Sequence, residues 1–378
     1  MRVLMISKAL VNGVYQRKAE ELAGLPDIEL CLVVPPYWHE RRVGDQRLQP
    51  MYTEGYELAV EPMRFNGRHH LHYYPGLGRR MREFKPDLVH IDEEPYNFVT
   101  AHATRLARRA GAKTVFFAWQ NLLRRYPPPF RLFELYSYRA ASAAIVGNRD
   151  AGWILRRKRY KGPIAVIPQF GVDPGIFHPP ANRRPSFGTP VIGYIGRVVE
   201  EKGVDLLVDA LAMIQPRPTL RIIGGGDQRV QLELRAERLG IRDRVRFEGA
   251  VPPERVPDLL RELDILVLPS RTRPNWKEQF GRILVEAMAC EVAVVGSDSG
   301  EIPNVIGDAG LVFPEGDAVG LADAMRSLAV DADALRATQR AGRRRVMEHF
   351  TQVQVAHQTW QLYRRVLELD APTGGEGR

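Results

Sequence analysis

Short apolar runs alternate along this chain with longer stretches whose apolar positions fall three and four residues apart. The first pattern is that of strands buried on both faces, and the second that of amphipathic helices. Their alternation predicts parallel sheets joined by helical crossovers, an α/β class. In the first half, strands are predicted at Val3–Ser7, Glu29–Val34, Leu88–Ile91, Thr114–Ala118, Ala143–Gly147 and Ile164–Ile167. A second set is predicted at Pro190–Ile195, Thr219–Ile223, Val245–Glu248, Ile265–Leu268, Val292–Val295 and Gly310–Val312. Between the sets, Gly171–Pro185 is rich in Pro and Gly and lacks periodicity, so it reads as a linker. At 378 residues the chain exceeds one comfortable core. The expected division is an N-terminal domain over 1–178, a C-terminal domain over 179–352, a helix over 353–370 and a disordered tail over 371–378.

Polar and apolar positions change period sharply near Trp276. Lys277 through Phe280 follow Pro274-Asn275 and read as loop, whereas Ile283, Leu284, Ala287 and Met288 recur at helical spacing from Gly281 onward. Glu278 then precedes a helix N-terminus and Glu286 sits on its second turn. Unpaired N–H groups at that terminus suit a phosphate. One carboxylate could accept from a sugar's hydroxyls, and the other could grip the two hydroxyls of a ribose. That combination suits a nucleotide-activated sugar. A plainer reading has Glu286 as a solvated helix residue paired with Arg282 one turn earlier.

A second informative segment runs from Ile192 to Gly203. A strand ends at Gly196, and Arg197 and Lys202 flank a turn before the helix predicted at Val204–Ile214. Cations at the carboxyl end of such a strand face the crevice where α/β sheets bind ligands, and together they could neutralise a leaving diphosphate. The plainer reading is surface cations at a helix end. Gly224-Gly225-Gly226-Asp227 forms a glycine-rich turn after another strand. Gly13, after the first strand, offers bare backbone that a phosphate could approach.

The block Glu278-Gln279-Phe280-Gly281, its helix, the strand Val292–Val295, Gly296-Ser297-Asp298-Ser299-Gly300-Glu301-Ile302-Pro303 and Gly310–Pro314 resembles the nucleotide-sugar half of the family-four retaining glycosyltransferases. That resemblance implies the GT-B fold: two Rossmann-like domains facing each other across a cleft, with a C-terminal helix crossing back to the first. It implies a hexosyltransferase that moves sugar, with retention, from a UDP- or GDP-sugar to a hydroxyl acceptor such as a lipid-linked or cell-envelope glycan. The Gly196-Arg197…Lys202-Gly203 segment matches the family's phosphate-binding motif, so Glu278, Arg197 and Lys202 take the catalytic roles. Gly13, Gly226, Val251, Gln279, Phe280, Gly281, Arg282, Ile283 and Glu286 take donor binding. On the acceptor side, Asp92 stands where many members carry histidine, and Trp119 fills the slot of another, making Asp92, Glu93, Trp119 and Gln120 the candidates. Asn12 and the Gln169-Phe170 pair are further departures, and the latter leaves the role of Phe170 open. His90 is expected to be a structural strand residue. With cations and a helix N-terminus supplying positive field, no cofactor and no metal are expected.

Charge adds one element to this picture. The net +9 is divided as 27 Lys+Arg against 17 Asp+Glu in residues 1–180, a surplus of +10, and −1 in the remainder. Solvated helix faces explain it, and so does attraction to an anionic membrane or acceptor, for which helix Phe98–Ala110 with Arg105, Arg108 and Arg109 offers a face. Nucleic acid is not an expected partner, because no binding motif accompanies the charge. Cys31 and Cys290 fall in different predicted domains, fitting a reduced, cytoplasmic protein, with peripheral contact at the inner membrane face as an extension. His69-His70-x-His72 reads as an exposed loop rather than a metal site. The rival functions are a nucleotide-sugar epimerase of the same architecture, a non-catalytic sugar-nucleotide binding protein, and a nicotinamide dehydrogenase. The last requires Gly-x-Gly-x-x-Gly after the first strand, where only Gly13 stands.

Overall fold

A computed structural model of the chain describes residues 1–40, 44–181, 190–215 and 217–368. They form two compact units, one comprising Met1–Gly171 with a segment beginning at Gln352, the other Val172–Thr351. Each is a parallel, Rossmann-like α/β layer structure. The first unit contains β1 (Arg2–Ile6), β2 (Glu29–Val34), β3 (Tyr37–Glu40), β4 (Gly44–Arg47), β5 (Glu57–Val60), β6 (Leu88–Ile91), β7 (Lys113–Ala118), β8 (Ala143–Val146) and β9 (Ile164–Val166). Seven of these make one sheet in the order β5-β2-β1-β6-β7-β8-β9, while β3 and β4 pair as an antiparallel hairpin. The second unit holds β10 (Val191–Ile195), β11 (Thr219–Ile223), β12 (Val245–Glu248), β13 (Ile265–Leu268), β14 (Ala293–Ser297) and β15 (Leu311–Phe313), ordered β12-β11-β10-β13-β14-β15.

The strands are apolar at successive positions because both sheet faces are covered. Val3 and Met5 of β1 join one hydrophobic cluster with Leu30, Leu32 and Val34. Leu4 and Ile6 join the opposite one with Cys31, Val33 and Ile91. The helix Gln352–Val366 closes the first of these faces, burying Val355, Ala356, Trp360, Leu362 and Tyr363 there. His90 Nδ1 lies 2.6 Å from the Tyr363 hydroxyl, so this strand histidine is a structural anchor for the helix.

The boundary falls at Gly171/Val172 rather than 178/179. Val172 donates to Phe350 O at 2.8 Å, while the Gly171 N–H turns to Gln352 Oε1 at 3.1 Å. Much of the expected linker is docked: Val172 and Phe177 are buried in the second core, and Arg261 donates to Ile176 O at 2.7 Å. Three apolar anchors in a Pro/Gly-rich stretch suffice to fasten it. Residues 182–185 of that stretch, and the 371–378 tail, lie outside the described residues. Phe170 stacks on Tyr15 at 4.2 Å between ring centroids, which gives it a packing role. The histidine loop is not wholly exposed either, since His72 is buried against Trp38 and lies 3.5 Å from Glu93.

Candidate functional site

In the second unit, β10 delivers Gly196 and Arg197 to its carboxyl end, and a 3-10 turn over Glu200–Lys202 follows. Gly203 ends that turn at φ +64, and a Cβ there would lie 2.1 Å from Pro269 O, so only glycine fits. The tight turn aims Lys202 at Glu278: Nζ and Oε2 are 2.5 Å apart. Ser270 Oγ donates to the same oxygen at 3.0 Å, and Trp276 lies under the ammonium at 4.9 Å. Glu278 is 8% exposed. It lies just ahead of the helix N-terminus, as the sequence pattern predicts, and is held there as a buried, charge-compensated carboxylate. Arg197 keeps half its side chain in solvent, 3.3 Å from Glu201, where an incoming anion can reach it.

Gly281 opens the helix Arg282–Ala289 in the left-handed region at φ +78, and no acid stands in its first turn. The terminus therefore keeps its positive field. Glu286 is on the second turn, with Arg282 Nε donating at 2.7 Å. The anticipated pairing is present, but Glu286 is largely buried rather than solvated. Burial pushes its carboxyl upward, and Arg282 offsets only part of that. Gln279 is exposed, whereas Phe280 packs on the core and edge-on to Phe350. Phe280 and Ile283 are thus packing side chains, leaving their backbone for any ligand. Val251 is likewise packed against that core. Gly226 has a local reason to be glycine, because a Cβ there would sit 1.9 Å from Val198 O.

The first-unit candidates form a different kind of site. Gly13 is buried, and the space a side chain would occupy is filled by Gln49 O and Met51 Cγ, at 2.5 and 2.4 Å from an ideal Cβ. Its missing side chain therefore makes room for the chain itself on that side. At the end of β6, Asp92 accepts from Ser7 Oγ at 2.6 Å and from Gln169 Nε2 at 2.9 Å. Burial raises the Asp92 carboxyl despite Lys18, Ser7 and Gln169. For Glu93, burial pushes upward too, but Lys8 and His72 outweigh it and hold the carboxyl at about 2. Trp119 donates through Nε1 to Gln169 at 2.7 Å, and its ring lies against Gly147, where a Cβ would come within 2.2 Å. Gln120 donates to Leu122 O at 3.0 Å and accepts from Lys158 Nζ at 2.8 Å. All four acceptor-side candidates gather at the carboxyl ends of β6 and β7.

Three participants escaped sequence reading. Ser270 shares the Glu278 oxygen with Lys202, and a lone serine after a strand carries no signal for that. Gly300 lets its loop approach Glu278: a Cβ there would be 2.0 Å from Glu278 O, at φ +60. Glu94 accepts from the Trp119 backbone N–H at 2.8 Å, and burial pushes its carboxyl up to about 7. Its other oxygen, Oε2, is buried and has no hydrogen-bond partner among the described residues. Among the described residues, no three His, Cys, Asp or Glu side chains converge as metal ligands.

Two family models match this chain. One, described as a glycosyl transferase 4-like domain, covers residues 13–169, and the other, glycosyl transferases group 1, covers 182–345. A 2-deoxystreptamine N-acetyl-D-glucosaminyltransferase of Streptomyces fradiae is 28% identical over 68% of this chain and 66% of its own length. A D-inositol 3-phosphate glycosyltransferase of Corynebacterium jeikeium is 33% identical over 45% of this chain and 44% of its own. The matches thus span about half to two thirds of these curated relatives. The Anabaena protein HepE, crystallised with UDP, shares the fold with a TM-score of 0.70 at 17% identity, over 97% of this chain and 100% of that one. The chain belongs to the glycosyltransferases assembled from these two domains, a 4-like domain followed by a group 1 domain.

Proposed function

We propose that this protein transfers a hexosyl group, with retention and without a metal, from a UDP- or GDP-sugar to a hydroxyl acceptor. The observation that carries this reading is the cluster of Lys202, Glu278 and Ser270 beside the uncapped-by-acid helix start at Gly281. A nucleotide diphosphate entering there meets Arg197, Lys202 and the helix N-terminus, three positive features that oppose charge build-up on the leaving group. Lys202 is already engaged by Glu278, so donor binding exchanges one anionic partner of Lys202 for another and releases the carboxylate toward the sugar's hydroxyls. HepE, a protein of the same fold, was crystallised with UDP and with UDP-glucose, which supports a nucleotide-sugar donor here. Retention follows if the leaving phosphate itself assists acceptor deprotonation on the same sugar face. The acceptor belongs to the first unit, and the basic surplus of +10 over residues 1–180, nearly all of which lie in that unit, fits one borne on, or near, the anionic inner face of a membrane.

The test is a thermal-shift screen of UDP- and GDP-sugars with the full chain, followed by NMR assignment of the product anomer. One donor should raise the melting temperature of the wild type in the presence of chelator and fail to do so in Arg197→Gln. The product anomer should match that of the donor. No stabilisation by any such sugar, or dependence on added magnesium or manganese, would overturn the reading.

A further inference from the structure

The basic surplus of the first unit is not spread over it. Residues 113–161 contain eleven Lys and Arg and only two acids, Glu134 and Asp150, a net +9. Six of the cations, Arg124, Arg125, Arg131, Arg157, Lys158 and Arg159, line one pocket of about 470 Å³. Three separate pieces of chain bring them there: the segment after β7, the first turn of the helix Phe130–Ala140, and the end of the helix Arg149–Arg157. No carboxylate lines the pocket among the described residues. Glu134, just behind it, takes both Arg131 and Lys158, the latter at 2.6 Å.

Helix-end electrostatics accounts for part of this cluster. Cations at the end of Arg149–Arg157 complement its dipole, but Arg131 stands at a helix start, where a cation is disfavoured, and Arg124 and Arg125 stand on no helix. Arg159 also occupies the left-handed region at φ +72, a conformation that glycine adopts at lower cost. Like charges crowded around a concavity repel each other and focus a positive field into it. Arginine forks are the side chains best matched to phosphate oxygens.

We propose that this pocket binds a phosphoryl group, as a phosphate monoester or diphosphate, carried by the acceptor. Its position supports the acceptor assignment: Lys158 lines the pocket and donates to Gln120, one of the acceptor-side candidates at the end of β7, at 2.8 Å. Tyr126 stacks on Tyr96 at 4.0 Å and has the Lys158 ammonium 5.1 Å from its ring, so the pocket wall continues toward β6. Phosphate binding stands on the pocket alone, whereas its assignment to the acceptor rests on the glycosyl-transfer reading.

The test uses the full chain in an Arg197→Gln background, which weakens the separate phosphate contacts of the second unit. Arg125→Gln with Arg159→Gly removes two exposed pocket charges, and glycine suits the backbone at position 159. Equal melting temperatures of the two forms check that folding is unaffected. Pyrophosphate titrated calorimetrically should bind the pocket variant about tenfold more weakly or worse, the loss expected for charge-assisted hydrogen bonds. Flotation with vesicles containing phosphatidic acid, whose headgroup is a phosphate monoester, against pure phosphatidylcholine, identifies the source of the phosphate. Loss of flotation in the pocket variant points to a lipid headgroup, and loss of pyrophosphate binding alone points to a soluble phosphorylated acceptor. If neither measurement distinguishes the two forms, the proposal is wrong. Failure of the wild type to bind any nucleotide sugar would remove the acceptor assignment and leave the pocket result standing.

Discussion

Lys202 and Glu278 are both mostly withdrawn from water, and each compensates the other. Removing one partner of such a pair costs roughly 3 kcal/mol, while replacing both with apolar groups is often nearly neutral. Lys202→Met is therefore expected to destabilise the protein clearly, and Lys202→Met with Glu278→Leu to recover most of that loss in urea unfolding. Turnover should stay abolished in both. The carboxylates at the end of β6 set a different dependence, on pH. Glu93 is held at about 2, so in the folded state it stays ionised where the unfolded chain takes up a proton; its contribution is present above about pH 4.3 and is lost as pH falls toward 2. Glu94 is raised to about 7, so folding retains its proton, and stability falls as pH rises from about 4.3 through 7. Glu94→Gln should flatten that second slope selectively in denaturation measured across pH 5–8. An unchanged slope would refute the assignment.

At the scale of elements, the loop carrying Gly300 fixes the height of Glu278. Gly300→Ala puts a methyl group within 2.0 Å of Glu278 O, at a left-handed backbone that alanine resists. The expected cost is on the order of 1–3 kcal/mol, together with weaker donor binding, read by thermal shift with and without nucleotide sugar. The long apolar strands were legible in sequence because burial on both faces makes them continuous runs. Elements without that signature were not. β5 is a four-residue edge strand, Glu57–Val60, and β4 reads Gly-Asp-Gln-Arg, with no apolar residue at all. Of the residues singled out by motif, Lys202 and Glu278 meet in an ion pair, while Arg197 pairs with Glu201 and Glu286 with Arg282. What identity could not convey was their state. Pairing and burial depend on Ser270, Gly300 and Gly203, residues brought close only by the fold. Gly13 shows the reverse case, a glycine whose open side faces its own chain.

For the whole molecule, the decisive fact is that the first unit is discontinuous in sequence. Its core includes Val355, Ala356, Trp360, Leu362 and Tyr363 from the helix Gln352–Val366. Burying a large apolar side chain contributes about 1.5–3 kcal/mol, so this helix supplies stabilisation comparable to the roughly 5–15 kcal/mol that hold a domain folded. A chain ending at Thr351 should therefore lose hydrogen-exchange protection in β1 and β6 while keeping it in β10, β13 and β14. Protection of β1 in that truncated chain would show the first sheet to be self-sufficient. The same discontinuity orders events on the ribosome. Residues 1–171 emerge first yet lack one wall of their core, whereas 172–351 emerge later and carry everything their own core needs. At translation rates of about 5–20 residues per second, the first sheet waits roughly 10–40 s for its covering helix. During that interval the face holding Val3, Met5, Leu32 and Phe117 is open, and chaperones that hold apolar surface have their natural client there.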